Sequence, residues 1–129
     1  MSETLGEAAV SLVLYGSTAR GEDRPDSDFD LLLIAYGNIK EVEAKAIEVK
    51  ARYLYRERRS FSVVAYSRED FAYAVEQVFP FVLGVFSGYK VLYDPIGFFR
   101  EQMGTLERME AEGSVKRYSR GWIWVTRHG

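Results

Sequence analysis

The sequence predicts a fold of the α+β (α/β) class, in which a small mixed β-sheet carries helices on one face. Two observations lead to this class. Short apolar runs rich in β-forming residues alternate with segments whose apolar residues recur at helical spacing. The chain has 129 residues, 47% of them hydrophobic, which is the length of one domain with enough apolar surface for a core. We therefore expect residues 1–129 to form a single domain, with a C-terminal helix and a short β-hairpin from about 95 to 129.

Short apolar runs bounded by turn-forming residues predict the strands. Four such runs are Ser11 to Tyr15, Phe29 to Tyr36, Ser60 to Tyr66 and Tyr89 to Tyr93. The tail VKRYSRGWIWVT predicts two further short strands, joined by a turn at Arg120 and Gly121. Strands in series between helices indicate a sheet with one covered face.

Helical spacing and capping residues predict the helices. Asn38 can cap a long helix to about Arg58, and Ser67 followed by Asp70 resembles a capping box that opens the next helix. Three more helices are predicted: a short one capped by Ser17, a buried one from Pro80 to Ser87, and one from Ile96 to Glu112.

The composition excludes several kinds of site and partner. The chain has no cysteine, which excludes disulfides, Cys-ligated metals and thiol nucleophiles and fits a reducing compartment. The net charge of -2 gives no overall field for capturing nucleic acid or an anionic membrane. No secretory leader is visible, and no apolar run approaches the roughly 20 residues that span a bilayer. We expect a soluble cytoplasmic protein without a membrane or nucleic-acid partner.

Two short motifs stand at the end of the first predicted strand and at the start of the second. The sequence GSTARG begins at Gly16, and SDFD places Asp28 and Asp30 on either side of Phe29. A Gly-Ser turn before a helix lets backbone N–H groups and a hydroxyl approach a phosphate. Residues i and i+2 of a strand share a face, so the two carboxylates point to one spot, and paired carboxylates suit Mg²⁺. Singly, each feature is explained by a turn, a helix cap or a solvated strand start. Jointly, they predict a site for a metal-bound nucleoside triphosphate.

The charges around these motifs make a cation part of that prediction. From Gly16 to Asp30 there are five acidic residues and two arginines, a local balance of -3 that would repel a triphosphate. Arg20 is the candidate counter-charge, on phosphate oxygens or on a carboxylate of the loop. We expect Gly16, Ser17 and Arg20 to bind nucleotide, and Asp28 and Asp30 to bind Mg²⁺, for which Mn²⁺ could substitute.

With GSTARG and SDFD at this spacing, the chain resembles the polymerase-beta-type nucleotidyltransferase superfamily. Its small size resembles the minimal nucleotidyltransferase (MNT) branch of HEPN–MNT pairs. The diagnostic match covers about nineteen residues, Tyr15 to Leu33. The resemblance implies a nucleotidyltransferase fold and transfer of a nucleotidyl group from ATP to a hydroxyl acceptor, with Asp28 and Asp30 as catalytic residues. It also implies a helical HEPN-type partner, because some members adenylylate a tyrosine of such a toxin.

The chain departs from the superfamily pattern on the third predicted strand. Active members usually carry a third carboxylate there as a general base, whereas the corresponding position here is Ser62. Three explanations stay open: Glu57, Glu69 or Asp70 swings in, a partner supplies the carboxylate, or the domain binds nucleotide without catalysis. The last explanation makes the chain a non-catalytic interaction module, an antitoxin-like partner of a HEPN-type protein.

Two other segments raise further hypotheses. The stretch from Gly113 to Gly129 has four basic residues and no acidic one, interleaved with aromatics. It could bind single-stranded nucleic acid, or it could be an edge hairpin whose charges discourage strand pairing, which we favour. The apolar stretch from Phe79 to Phe86 is expected to be a core helix; otherwise it would be covered by a homodimer or a helical partner.

Overall fold

A four-stranded mixed sheet and four helices make up most of the protein in a computed structural model that describes residues 9–16, 29–57, 61–118 and 121–124. The sheet strands are β1 (Ala9–Tyr15), β2 (Phe29–Ala35), β3 (Phe61–Ser67) and β4 (Tyr89–Tyr93). The helices are α1 (Ile39–Glu57), α2 (Arg68–Glu76), α3 (Pro80–Phe86) and α4 (Phe98–Ala111). A separate antiparallel pair contains β5 (Val115–Tyr118) and β6 (Gly121–Trp124). Every predicted element in this part of the chain is present, while the short helix predicted at Ser17 lies outside the described residues.

The sheet has the strand order β3-β2-β1-β4. β1 pairs antiparallel with both β2 and β4, whereas β2 and β3 are parallel. The long helix α1 forms the crossover between the two parallel strands, as parallel pairing requires. The mixed sheet and the α+β class are therefore confirmed.

The predicted caps begin two of the helices. The Asn38 side chain accepts a hydrogen bond from the Glu41 amide at 3.0 Å, and the Glu41 carboxylate accepts one from the Asn38 amide at 3.4 Å. This reciprocal pair satisfies donors that the first turn of α1 leaves without helical partners. At α2, the Ser67 hydroxyl accepts from the Asp70 amide at 3.1 Å. Both helices begin where the sequence places a capping residue.

The helices cover both faces of the sheet, which corrects the prediction that they pack on one face. One face of β2 presents Leu32 and Ile34 to a core formed with α2, α3 and α4. The opposite face presents Leu31, Leu33 and Ala35 to the helix α1. All five residues are fully buried, and a strand that is apolar at consecutive positions needs cover on both sides. The prediction failed because the continuous apolar run was read as a sheet with a single covered face.

The apolar stretch from Phe79 to Phe86 belongs mainly to the core. Val82 and Val85 are fully buried, and Leu83 and Phe86 are less than a tenth exposed. The chain itself covers these side chains, so the stretch does not call for a dimer or a partner. Among the described helices, none combines the length and the apolar character needed to cross a bilayer.

A buried aspartate joins β1 to α4. The Asp94 carboxylate accepts hydrogen bonds from the Ser11 hydroxyl at 2.7 Å and from the amides of Phe99 and Arg100, each at 3.1 Å. Ser11 is fully buried and Asp94 is 6% exposed. The helix has glycine, Gly97, as its N-cap residue, without a side-chain hydrogen bond. Asp94 therefore does the capping from three residues earlier, and its negative charge lies at the positive end of the helix dipole.

We expect Asp94→Ala to lower the free energy of unfolding by about 2–3 kcal/mol, because it leaves the buried Ser11 hydroxyl and two helix amides without their acceptor. Urea denaturation followed by circular dichroism measures this change. Ser67→Ala is the control, since it removes an exposed cap at a cost of about 1 kcal/mol. Equal losses in the two variants would contradict the role assigned to Asp94.

Candidate functional site

Two of the five predicted site residues lie within the described part of the chain, and they lie together. Tyr15 at the end of β1 pairs with Asp30 near the start of β2, so Gly16 follows directly beside the Asp30 carboxylate. Ser17, Arg20 and Asp28 lie outside the described residues. Phe29 packs on the opposite face of the sheet, as predicted from strand alternation.

Gly16 is required by its conformation and by its closeness to Asp30. Its φ is +82°, in the left-handed region that favours glycine, and a Cβ atom there would lie 3.0 Å from Asp30 Oδ2. Its amide donates a hydrogen bond to the Gly88 carbonyl oxygen at 3.3 Å. The chain thus leaves β1 with its backbone directly against a carboxylate, with no side chain between them.

Ser62 occupies the position next to Asp30 on β3. The parallel register pairs these two residues, so their side chains lie on the same face of the sheet. Ser62 is exposed, and Asp30 is partly buried. The strand pairing therefore places a serine, and not a carboxylate, next to Asp30 on β3.

Two of the carboxylates proposed to replace the missing one lie too far away. Glu69 and Asp70 follow the far end of β3, and the five residue-to-residue steps from Ser62 to Ser67 span about 16 Å in an extended strand. Glu57 ends α1, the helix that covers the face opposite Asp30. The structure describes no cluster of three or more His, Cys, Asp or Glu residues that could hold a metal ion within its covered ranges. Recruitment of Glu69 or Asp70 is therefore wrong as an explanation.

Aromatic side chains lie beside Asp30 on the same face. The Tyr15 ring contacts Phe81 edge-on at a centroid distance of 5.4 Å, and Phe81 stacks on Tyr66 at 5.7 Å. Burial, helped by the negative charge of Asp30 and by Tyr66, raises the pKa of Tyr15 to about 12. Sequence reasoning missed Phe81 and Tyr66. Alternation along β3 was the available signal for Tyr66, because residues 62, 64 and 66 share a face.

A surface cavity of about 240 Å³ is separate from this site and lies at the opposite ends of the strands β2 and β3. Gly37, Asn38 and Ser67 line it together with the acidic residues Glu43 and Asp70. The lining contains no basic side chain. Two carboxylates without a counter-charge make the cavity unsuited to a phosphate group.

The raised pKa of Tyr15 predicts a stability loss at alkaline pH. Folding favours the neutral phenol, so this contribution is present below pH 10 and is lost as pH rises from 10 to about 12. We expect Tyr15→Phe to remove this part of the loss, measured as the free energy of unfolding against pH. The exposed Tyr73→Phe is the control, and an unchanged alkaline slope in Tyr15→Phe would contradict the expectation.

Comparison with known proteins gives one relative and a group of similar folds. The chain is 27% identical over 104 residues to a protein of Methanocaldococcus jannaschii that carries the provisional name of a protein adenylyltransferase. The alignment covers 78% of this chain and 69% of that protein. A crystal structure of a toxin–antitoxin with AMP-PNP has a TM-score of 0.53 at 14% identity and covers 85% of this chain and 84% of the solved chain. A mutant of the toxin–antitoxin MntA–HpeT has a TM-score of 0.50 at 14% identity, covering 81% and 80%. At such identity, the likeness to solved structures shows the fold alone.

A family model described as the nucleotidyltransferase domain matches residues 2–82, a span that includes both motifs and the strands β1, β2 and β3. The match covers more than half of the chain and confirms the resemblance seen in the motifs. This protein belongs to the nucleotidyltransferase domain family.

Proposed function

We propose that this nucleotidyltransferase binds Mg²⁺-bound ATP and transfers the adenylyl group to a hydroxyl acceptor on a partner protein, with loss of pyrophosphate. The family match supports the reaction class, and the name of the archaeal relative supports a protein as the acceptor. Gly16, Ser17 and Arg20 are the proposed nucleotide-binding residues. Asp28 and Asp30 are the proposed catalytic, metal-binding residues.

The observation that carries this proposal is the closeness of Gly16 to Asp30. A backbone turn without a side chain ends β1 beside a carboxylate on β2, where a Cβ atom would lie 3.0 Å from that carboxylate. A phosphate held by the turn would therefore lie next to a carboxylate, and their charges repel. A cation between them turns this repulsion into attraction, and a metal-bound nucleotide brings that cation with it.

The donor set fits one magnesium ion. Asp30 supplies a carboxylate at the end of the sheet, and Asp28 precedes it by two residues in the sequence. Carboxylates, phosphate oxygens and water are the ligands that Mg²⁺ prefers, and Mn²⁺ accepts the same set. When bound, such an ion would withdraw electron density from the phosphoryl oxygens and offset the negative charge of the loop.

The remaining proposed residues hold and orient the triphosphate. The Ser17 amide and hydroxyl can donate hydrogen bonds to phosphate oxygens, and the Arg20 guanidinium can pair with them through two parallel hydrogen bonds. Backbone donors and an arginine fix the leaving pyrophosphate without transferring a proton. These residues therefore contribute positioning and charge rather than acid–base chemistry.

A HEPN-type helical protein is the proposed source of the acceptor. The motif resemblance implies such a partner, and two proteins of similar fold were solved as toxin–antitoxin assemblies. The homodimer is not part of the proposal, because the apolar stretch from which it was inferred is largely buried within the chain.

The double variant Asp28→Ala/Asp30→Ala tests the metal-nucleotide site. We expect at least a tenfold loss of Mg²⁺-dependent ATP affinity, measured by isothermal titration, because the variant lacks both carboxylates that we propose hold the cation against the phosphates. Asp70→Ala, at the opposite edge of the sheet, is the matched control and should bind as the wild type does. Binding that is insensitive to Mg²⁺, or unchanged in the double variant, would refute the site.

Comparing Gly16→Ala with Gly97→Ala distinguishes the effect of a side chain inside the site from the effect of backbone strain. Gly16 and Gly97 both have positive φ, at +82° and +71°, so an alanine at either costs about 1 kcal/mol or more in stability. Only at Gly16 does the new methyl group meet the Asp30 carboxylate, because nothing lies within 4 Å of a Cβ at Gly97. We expect Gly16→Ala to weaken Mg²⁺-ATP binding tenfold or more and Gly97→Ala to leave it unchanged. Equal affinities in the two variants would contradict this geometry.

The exposed Ser62 beside Asp30 favours a second function, that of an interaction module that binds nucleotide without turnover. Incubation with ATP labelled at the α-phosphate and a HEPN-type partner distinguishes the two. Label on the partner supports transfer. Metal-dependent binding without any label would support the module.

A further inference from the structure

We infer that the site holds one divalent cation rather than two, and that the acceptor hydroxyl reaches it over Ser62 without a carboxylate base from the neighbouring strand. The inference rests on the proposed function and describes how the acceptor hydroxyl approaches the same site.

The register of the sheet leaves Asp30 as the only carboxylate of its row in the described part of the chain. Its ladder partner on β1 is Tyr15, and its partner on β3 is Ser62. Paired residues of neighbouring strands share a face, so these three side chains form one row across the end of the sheet. A phenol and a hydroxyl flank the carboxylate, and neither brings negative charge.

A second cation would need a further negative charge among its ligands, and this row of side chains lacks one. In two-metal sites of phosphoryl transfer the ions lie about 3.5–4 Å apart, where they repel each other strongly. Carboxylates that contact both ions, or that bind the second, offset this repulsion. A serine hydroxyl provides only a dipole, so the ligand position on β3 cannot hold a second Mg²⁺ as a carboxylate would.

The carboxylates that follow β3 and those of α1 do not replace it. Glu69 and Asp70 lie beyond the far end of β3, about 16 Å along the strand from Ser62. The acidic residues of α1 belong to a helix that packs on the opposite face. Glu22, Asp23 and Asp26 lie outside the described residues. An experiment that counts the bound cations directly includes any cation that these residues help to hold.

The strand order sets the direction from which the acceptor arrives. The Gly16 turn follows β1, on one side of Asp30, and Ser62 lies on β3, on the other side. In an in-line displacement the attacking and leaving oxygens lie on opposite sides of the phosphorus. With the pyrophosphate held at the Gly16 turn, the acceptor oxygen arrives over the exposed Ser62.

In this step the acceptor oxygen forms a bond to the α-phosphorus, and the bond from that phosphorus to the bridging oxygen breaks. Pyrophosphate leaves with the electron pair. The hydroxyl proton passes to hydroxide in the solvent, because the Ser62 hydroxyl is not a base at neutral pH. A positioned general base contributes roughly 10²- to 10⁴-fold, so its absence predicts slow transfer.

Counting bound Mn²⁺ tests the inference. Electron paramagnetic resonance of the full chain saturated with a non-hydrolysable ATP analogue should detect one bound Mn²⁺ per chain. Ser62→Asp should bind two, and Ser62→Ala should stay at one. Because Ser62 is exposed, the position should accept aspartate, alanine or glutamate without loss of folding. Ser62→Glu is a second variant that carries a carboxylate. With ATP, Ser62→Asp should also transfer label at least tenfold faster than the wild type.

The outcomes separate this inference from the proposed function. Two Mn²⁺ ions in the wild type, or one in both carboxylate variants, would overturn it. No metal-dependent nucleotide binding in the wild type would overturn the proposed function itself. One ion in the wild type and two in Ser62→Asp would support the inference even if the natural acceptor is unidentified.

Discussion

The antiparallel pairing of β1 with β2 decides where the described residues of the candidate site lie. It places the residue that leaves β1 beside the second acidic residue of the SDFD motif, although these residues are separated in sequence by a polar loop. Because the side-chain period of a strand is two, a shift of this register by one residue would turn Asp30 toward the face that α1 covers. The register of the β1–β2 pair therefore also fixes the direction of the carboxylate.

The two helical layers serve this arrangement in different ways. The helix α1 covers one face and provides the crossover that makes β3 parallel to β2. The other three helices cover the face that carries Asp30, and α3 contributes Phe81 to the aromatic contacts around Tyr15. At the end of the sheet where Asp30 lies, a well-packed apolar core therefore meets a charged residue. Such support holds the Asp30 carboxylate in place.

Local features of the fold could be predicted from the sequence, and long-range ones could not. Asn38 and Ser67 cap helices where they stand, because the hydrogen bonds involved span three residues. The position of Ser62 on the third strand is likewise predictable, because side chains alternate along a strand. By contrast, the Ser11–Asp94 hydrogen bond joins residues 83 positions apart and has no local signal. The continuous apolar run of β2 indicates cover on both faces, whereas which helix covers which face depends on the chain connections.

The Ser11–Asp94 bond and the β1–β4 pairing also bear on which part of the chain can fold alone. The segment that matches the family model ends at residue 82, before β4 and α4. A fragment with that boundary would keep both motifs but leave one edge of β1 without a neighbour strand and the Ser11 hydroxyl without its acceptor. The segment that matches the family model is thus smaller than the folded unit to which it belongs, and the residues after it supply contacts that its first strand needs.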